Sequence, residues 1–189
     1  MAILRNRLVG NDPGDDPGIF TQAGTDGLYG GFKKGTGKIG LLYKPGRLGV
    51  RGETEYADPG GSYSRANMDL GGFAGPKGGI GHSFSTGVTS GRHGYGYIGK
   101  NKVTGGLGGY GRFASDGLES DDKSKEVSKL QISGGIEGRL NFQPRRSNFD
   151  FFGRANLGAG YYEDKIGGAP TKRGGRPEFG VNAGVRYRF

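Results

Sequence analysis

The chain has 189 residues, no cysteine and a formal net charge of +9. This length suits one domain, and the lack of cysteine excludes a disulfide framework and a thiolate metal site. Basic and acidic residues are interspersed without a run of five like charges, which favours solvated or paired charges over a nucleic-acid-binding patch. No stretch approaches the ~20 apolar residues of a transmembrane helix.

Residues 1–26 differ from the rest of the sequence because turn signals dominate them. The segment "NDPGDDPG" at 11–18 contains two Asp-Pro-Gly units. In such a unit Asp starts a turn, Pro fixes φ and Gly supplies a positive φ. We therefore predict a turn-rich N-terminal arm over 1–26 and one folded domain over 27–189.

From residue 27 onward, apolar and polar residues alternate with a period of two, which indicates β-strands and not helices. In "KLQISGGIEGRLNF" (129–142), Leu130, Ile132 and Ile136 share one face, and Lys129 and Glu137 share the other. About ten such segments follow one another. We predict strands at 27–34, 37–44, 47–57, 62–72, 77–89, 92–100, 102–114, 126–143, 147–163 and 176–189.

The connections between these segments predict how the strands are arranged. Short turns follow the even-numbered predicted strands, and the long polar links 115–126 and 163–177 follow odd-numbered ones. Alternate connections of a meander lie at the same end, so one end has short turns and the other has long loops. With an even strand number and ~10-residue alternating segments, this predicts an all-β, antiparallel up-and-down transmembrane β-barrel, with eight strands as the runner-up. The short turns are "KPG" (44–46), "GPKG" (75–78), "KN" (100–101) and "QPRRS" (143–147).

The two faces of the strands have different compositions. One face is apolar and would meet lipid, where only closed strand pairing satisfies the backbone. The other mixes glycine with charged residues, which suits the narrow concave inside of a barrel. We predict an Arg/Glu network across the lumen, in which Asp69 is one of the carboxylates that pair with the basic residues. We therefore predict a plugged barrel or a very narrow pore. The predicted network consists of Arg51, Glu53, Glu55, Arg65, Arg112, Lys129, Glu137, Arg139, Asp150, Arg154 and Arg186.

The chain ends in "FGVNAGVRYRF" (179–189), where the alternation continues to the last residue. This segment resembles the C-terminal strand of Gram-negative outer-membrane β-barrel proteins, which typically ends in Phe with apolar or aromatic residues at alternate positions before it. The resemblance implies that Val181, Val185, Tyr187 and Phe189 form the signal read by the outer-membrane assembly machinery. It also implies that the chain resides in the lipid bilayer of a bacterial outer membrane.

Motifs for chemistry are weak in this sequence. "GFKKGTGKIG" (31–40) fails the phosphate-loop pattern because Phe32 and Ile39 occupy its first Gly and its Ser/Thr positions. His82 and His93 are the two histidines, and they suggest neither a zinc site nor a Ser-His-Asp arrangement. We therefore predict no enzyme activity and no cofactor, and the sequence disfavours nucleic acid as a partner.

Three functions remain open at this point. The first is an outer-membrane β-barrel, structural or a narrow porin-like channel, with interactions through its long loops. The start "MAILRNRLVG" (1–10) lacks an apolar run long enough for a signal peptide, which fits a removed signal, a mitochondrial-type barrel or a virus-encoded one. The second function is therefore a phage virion structural protein that acts at the host outer membrane among virion partners. The third is a soluble nucleic-acid-binding β-protein.

Overall fold

A computed structural model of the protein describes residues 17–58, 60–74, 79–118, 126–167 and 169–189. Residues 1–16, which hold most of the predicted arm, lie outside the described residues. Across the described ranges no helix is long and apolar enough to cross a membrane. The strands are β1 (Gly18–Gly24), β2 (Gly27–Lys34), β3 (Gly37–Lys44), β4 (Arg47–Ala57), β5 (Ser62–Ala74), β6 (Ile80–Ile98), β7 (Asn101–Leu118), β8 (Val127–Gln143), β9 (Phe149–Ile166) and β10 (Lys172–Arg188).

The ten strands form a closed antiparallel barrel. Each strand pairs with its neighbours in sequence, and β1 closes the ring against β10 from Gly18 opposite Arg188 to Gly24 opposite Asn182. Followed once around the ring, the register is displaced by about 12 residues, which corresponds to strands tilted by roughly 35–45° from the barrel axis. The predicted all-β, ten-stranded up-and-down barrel is confirmed.

Alternation along the strands separates an apolar outside from a polar inside. The outward side chains of Val88 and Leu157 are 62% and 58% exposed, whereas the inward Arg51 and Asp150 are 3% and 1% exposed. The face assignment predicted from the sequence is therefore correct for these strands. Other exposed apolar side chains include Ile39, Leu41, Leu48, Val50, Met68, Leu70, Leu107, Ile132, Ile136, Leu140, Phe151, Phe179 and Val181.

The barrel wall is uneven in height. Strands β1, β2 and β3 have 7, 8 and 8 residues, whereas β6 and β7 have 19 and 18. The short strands are joined by two-residue turns, one of which needs Gly35 at a φ of 55°. The wall of the barrel is therefore lower on the β1–β3 side than on the β6–β7 side.

Two errors in the predicted strands cancel in the total of ten. Strand β1 lies inside the predicted arm 1–26, so the barrel begins at Gly18 and not at residue 27. The predicted strands 77–89 and 92–100 are one continuous strand, β6. Residues 90 and 91 lie between these two predicted strands, but Gly91 is paired with Tyr63 on one side and Gly108 on the other.

The predicted grouping of the connections is partly wrong for the same reason. "KPG" (44–46) follows β3 and "GPKG" (75–78) follows β5, so both lie at the same end as the connections after β7 and β9. "KN" (100–101) and "QPRRS" (143–147) lie at the opposite end, together with the start of β1 and the end of β10. The predicted long loops are shorter than expected, because β7 extends to Leu118, β9 extends to Ile166 and β10 begins at Lys172. We call the end with the connections after β7 and β9 the loop end, and the opposite end the terminus end.

Glycine is required where neighbouring strands approach closely. A Cβ atom on Gly31 would lie 2.1 Å from the carbonyl oxygen of Ile39, and one on Gly40 would lie 2.2 Å from that of Gly30. The facing pair Gly31–Gly40 thus brings β2 and β3 together in a way that no residue with a side chain permits. Such glycines bend strands at defined positions and help to close a small barrel.

Candidate functional site in the barrel lumen

A layer of ion pairs centred on Glu53 crosses the lumen. Arg154 on β9 binds the Glu53 carboxylate through both terminal nitrogens, at 2.9 and 2.8 Å. Lys38 on β3 donates to the same carboxylate at 2.7 Å. In the ring of ten strands β4 and β9 lie on opposite walls, so the Arg154–Glu53 pair spans the whole lumen.

Neighbouring ion pairs extend this layer between other walls. Arg139 on β8 pairs with Glu55 on β4, and Arg65 on β5 pairs with Glu137 on β8. Arg65 also lies 3.6 Å from Glu53 and donates to the Thr89 hydroxyl at 3.1 Å. The opposite charges interact over short distances in a poorly solvated space, which makes this network stronger than a surface one and costly to disrupt.

Aromatic rings fill the space around these charges. The Tyr63 ring lies under the Arg139 guanidinium at 3.7 Å, and Lys38 lies 5.6 Å from the Phe152 ring. A Cβ on Gly184 would meet the Phe152 ring at 2.5 Å, and one on Gly108 would meet the Tyr63 hydroxyl at 2.7 Å. Glycines on nearby strands, Gly184 on the adjacent β10 and Gly108 two strands away on β7, therefore give the inward rings the room that they occupy.

At the terminus end, Asp150 is almost completely buried between two arginines. Arg186 on β10 donates to its Oδ2 through Nε at 3.0 Å, and Arg188 approaches Oδ1 at 3.1 Å. Arg188 also donates to the carbonyl of Ser147 at 2.7 Å. The group ties the start of β9 to the end of β10.

Towards the loop end, Arg51 and Arg112 organise a second group of charges. Arg51 binds Asp69 through two nitrogens at 2.6 and 2.7 Å. Arg112 reaches Asp26 at 3.1 Å and Glu178 at 3.4 Å from the far wall. Because Asp26 lies in the β1–β2 turn and Glu178 on β10, Arg112 connects three parts of the barrel.

Above this group the lumen widens into a cavity of about 460 Å³ at the loop end, which we call the vestibule. Its charged lining side chains include Lys44, Arg47, Arg176 and Asp116, and Arg47 pairs with Asp116 at 2.7 Å. Beneath it, among the ion pairs, a void of about 30 Å³ remains, which matches the volume of about one water molecule.

Most of the predicted lumen residues lie together inside the barrel. Lys129 differs, because it is exposed on the inward face of β8 near the loop end. The sequence analysis missed Lys38, Asp26 and Glu178. Alternation on β3 and β10 could have placed Lys38 and Glu178 inside, but Asp26 lies in a turn next to a strand that was not predicted. The predicted residues in the contacts above are Arg51, Glu53, Glu55, Arg65, Arg112, Glu137, Arg139, Asp150, Arg154 and Arg186.

The C-terminal strand presents its apolar side chains outward. Val181 is exposed, and the Tyr187 ring lies between those of Phe149 and Phe189 in tilted and edge-to-face contacts, with centroid separations of 5.1 and 5.8 Å. Val185 shares the same face, opposite Phe151 of β9. This cluster lies at the terminus end, where the Phe189 amide donates to the Pro17 carbonyl at 3.2 Å.

Comparison with known proteins yields only distant structural similarity. No protein-family profile and no curated protein matches the sequence. A major outer membrane protein from Thermus thermophilus is 15% identical over 92% of this chain and 99% of its own, with a TM-score of 0.39. CarO from Acinetobacter baumannii is 10% identical over 95% and 100%, with a TM-score of 0.28. At these scores, the placement of this chain rests on its own geometry.

Proposed function

We propose that this protein is a bacterial outer-membrane β-barrel with a closed lumen, and that it acts as a structural barrel with interactions at its loop end. The observation that carries this proposal is the inverted distribution of polarity. Leu157 and Val88 are more than half exposed on the outside, whereas Asp150 and Arg51 are buried inside. We propose no enzymatic activity.

Lipid is the solvent that fits the outer surface. Exposed large apolar side chains occur on every one of the ten strands, whereas soluble monomers rarely expose apolar patches of more than a few hundred Å². A closed barrel leaves no strand edge unpaired, which is the condition for crossing hydrocarbon with β-structure. A soluble nucleic-acid-binding protein would need the opposite arrangement, with its cationic groups available outside. Here many of the arginines are engaged by carboxylates in the lumen.

The distribution of connections supports an orientation. Outer-membrane barrels have short turns on the periplasmic side and longer loops outside the cell. The longest connection, 119–126, joins β7 to β8 at the loop end, and β1 begins and β10 ends at the other end. We therefore assign the loop end to the cell exterior. The connections 119–126 and 167–171 are the segments that we propose to mediate interactions.

The ion-pair layer argues against an open diffusion pore. Arg154 and Glu53 meet across the full lumen, and their side chains are 9% and 2% exposed. A narrow channel is the second candidate. The 460 Å³ vestibule leads down to this layer, and the layer that blocks the lumen is made of side chains and not of backbone. In planar bilayers we expect no porin-like conductance steps, and steady wild-type conductance would favour the channel.

We further propose that Val181, Val185, Tyr187 and Phe189 form the signal for the outer-membrane assembly machinery. Their support is the outward alternation on β10 and the aromatic cluster at its end. Cells that express Phe189→Ser should accumulate unassembled protein. Normal assembly of that variant at wild-type levels would refute this part of the proposal.

Refolding from urea with and without detergent micelles tests the membrane placement. We expect a compact, heat-modifiable band on gels only with detergent. A folded monomer without detergent would show that the apolar face needs no lipid. Fractionation of native cells distinguishes an outer-membrane protein from a virion protein. Recovery of the chain from purified phage particles, in place of the cell envelope, would favour the virion protein.

A further inference from the structure

We infer that the vestibule is a binding site for a small solute that carries an oxyanion, a carboxylate or a phosphate, and that Lys44 is its main charged contact. This inference goes beyond the proposed closed barrel, because it assigns a ligand class to the space above the ion-pair layer. The vestibule measures about 460 Å³, which lies in the size range of small-molecule sites.

The carboxylates of the vestibule are already engaged. Asp69 accepts two hydrogen bonds from Arg51 and a third from the Ser85 hydroxyl at 2.9 Å. Asp116 pairs with Arg47 at 2.7 Å. These two carboxylates leave little capacity to bind an incoming cation.

The remaining two carboxylates of the lining are also satisfied. Asp26 pairs with Arg112 at 3.1 Å and accepts a hydrogen bond from the Asn182 amide at 3.1 Å. Glu178 accepts from the Tyr110 hydroxyl at 3.0 Å and lies 3.4 Å from Arg112. A cationic solute would therefore have to displace existing partners before it could gain any.

Lys44 differs from these four carboxylates because it has no hydrogen-bonded or ion-paired partner among the described residues. Its side chain lines the vestibule from β3 and is partly exposed, and within the described ranges its ammonium group makes no hydrogen bond and lies beyond ion-pair distance of Asp69 and Asp26, the two carboxylates that attract it. An ammonium group in such a space attracts an anion strongly, because the surrounding wall screens the charge less than bulk water does.

Other donors line the same cavity and would complete the contacts of an oxyanion. Ser83 and Asn156 are lining residues with side-chain donors, and the guanidinium of Arg176 lies at the rim, where it donates to Gln131. An oxyanion accepts several hydrogen bonds at once, and charge-assisted ones are the strongest. The arrangement thus selects a small anion over a cation or an apolar ligand.

Calorimetric titration of the protein folded in octyl glucoside, a neutral detergent, tests this inference. The probes are inorganic phosphate and succinate, with putrescine as the cationic comparison. We expect binding of at least one anion, weakened when salt rises from about 0.01 to about 0.3 M. Lys44→Met should weaken that binding about tenfold, since it removes a charge-assisted contact, and Lys44→Arg should retain it.

Lys34→Met is the matched control, because Lys34 is an exposed lysine on the outer face of β2 and its loss removes the same charge outside the vestibule. It should bind the anion like the wild type. Heat-modifiable mobility verifies that each variant is folded. Equal binding by Lys44→Met, no binding of either anion at millimolar concentration, or preference for putrescine would overturn the inference. If the barrel still folds only in detergent, none of these three results contradicts the proposed outer-membrane placement.

Discussion

The Arg154–Glu53 pair provides a quantitative test of the ion-pair layer. Arg154→Met keeps much of the aliphatic volume but removes both hydrogen bonds to Glu53, at 2.9 and 2.8 Å. Loss of one partner from a buried pair costs about 3–5 kcal/mol. Glu53 retains Lys38 at 2.7 Å, so we expect the lower part of that range, about 3 kcal/mol. Urea unfolding in lipid vesicles measures this loss.

Arg173→Met is the matched control for this substitution. Arg173 also binds a glutamate through two nitrogens, with distances of 3.0 and 3.3 Å to Glu163, but the pair is exposed at the loop end. Water and salt screen such a pair, so the free energy of unfolding should change little. Equal losses for Arg154→Met and Arg173→Met would refute the view that burial in the lumen makes the layer strong.

Three further predictions follow from other parts of the barrel. Leu157→Lys places a charge outward at mid-depth and should cost about 2–4 kcal/mol of stability in vesicles, whereas Ser83→Lys in the vestibule should cost far less; similar costs would contradict the assigned faces. Gly31→Ala should impair folding because its Cβ would lie 2.1 Å from a carbonyl oxygen, while Gly52→Ala meets nothing within 4 Å and should fold normally on heat-modifiability gels. Arg51→Ala should lower resistance to urea because it leaves Asp69 without its two-nitrogen partner; unchanged unfolding would show that this pair contributes no stability.

The sequence predicted the faces of the strands well because a period of two is a local property. In "KLQISGGIEGRLNF" the outward Ile132 and Ile136 and the inward Glu137 and Arg139 alternate without exception, and the structure places them so. The predicted separation of outside from inside depended only on this pattern, and it holds for β4, β5, β8, β9 and β10.

What the sequence could not provide depends on the register around the ring. The pairing of Arg154 with Glu53 follows from the positions of β9 and β4 on opposite walls and from the stagger of all ten strands. Strand β1 is short and has a weak apolar pattern, and its pairing with β10 is what defines it. Asn182 illustrates the difference. Alternation places it on the lumen face, where a charged substitution would be expected to cost little. Its side chain is however 6% exposed and donates a hydrogen bond to Asp26, so a charged residue there would disturb existing contacts.

Lipid contact along the outer wall is the most direct test of the central claim. The chain has no native cysteine, so single cysteines can carry a fluorophore at chosen positions. Leu70→Cys and Val88→Cys place it outward, and Ser83→Cys and Ala114→Cys place it in the vestibule. In vesicles with brominated lipid chains, we predict strong quenching at the two outward positions and weak quenching at the two inward ones. Uniform quenching, or quenching at the inward positions alone, would contradict a barrel with an apolar outside and a charged lumen.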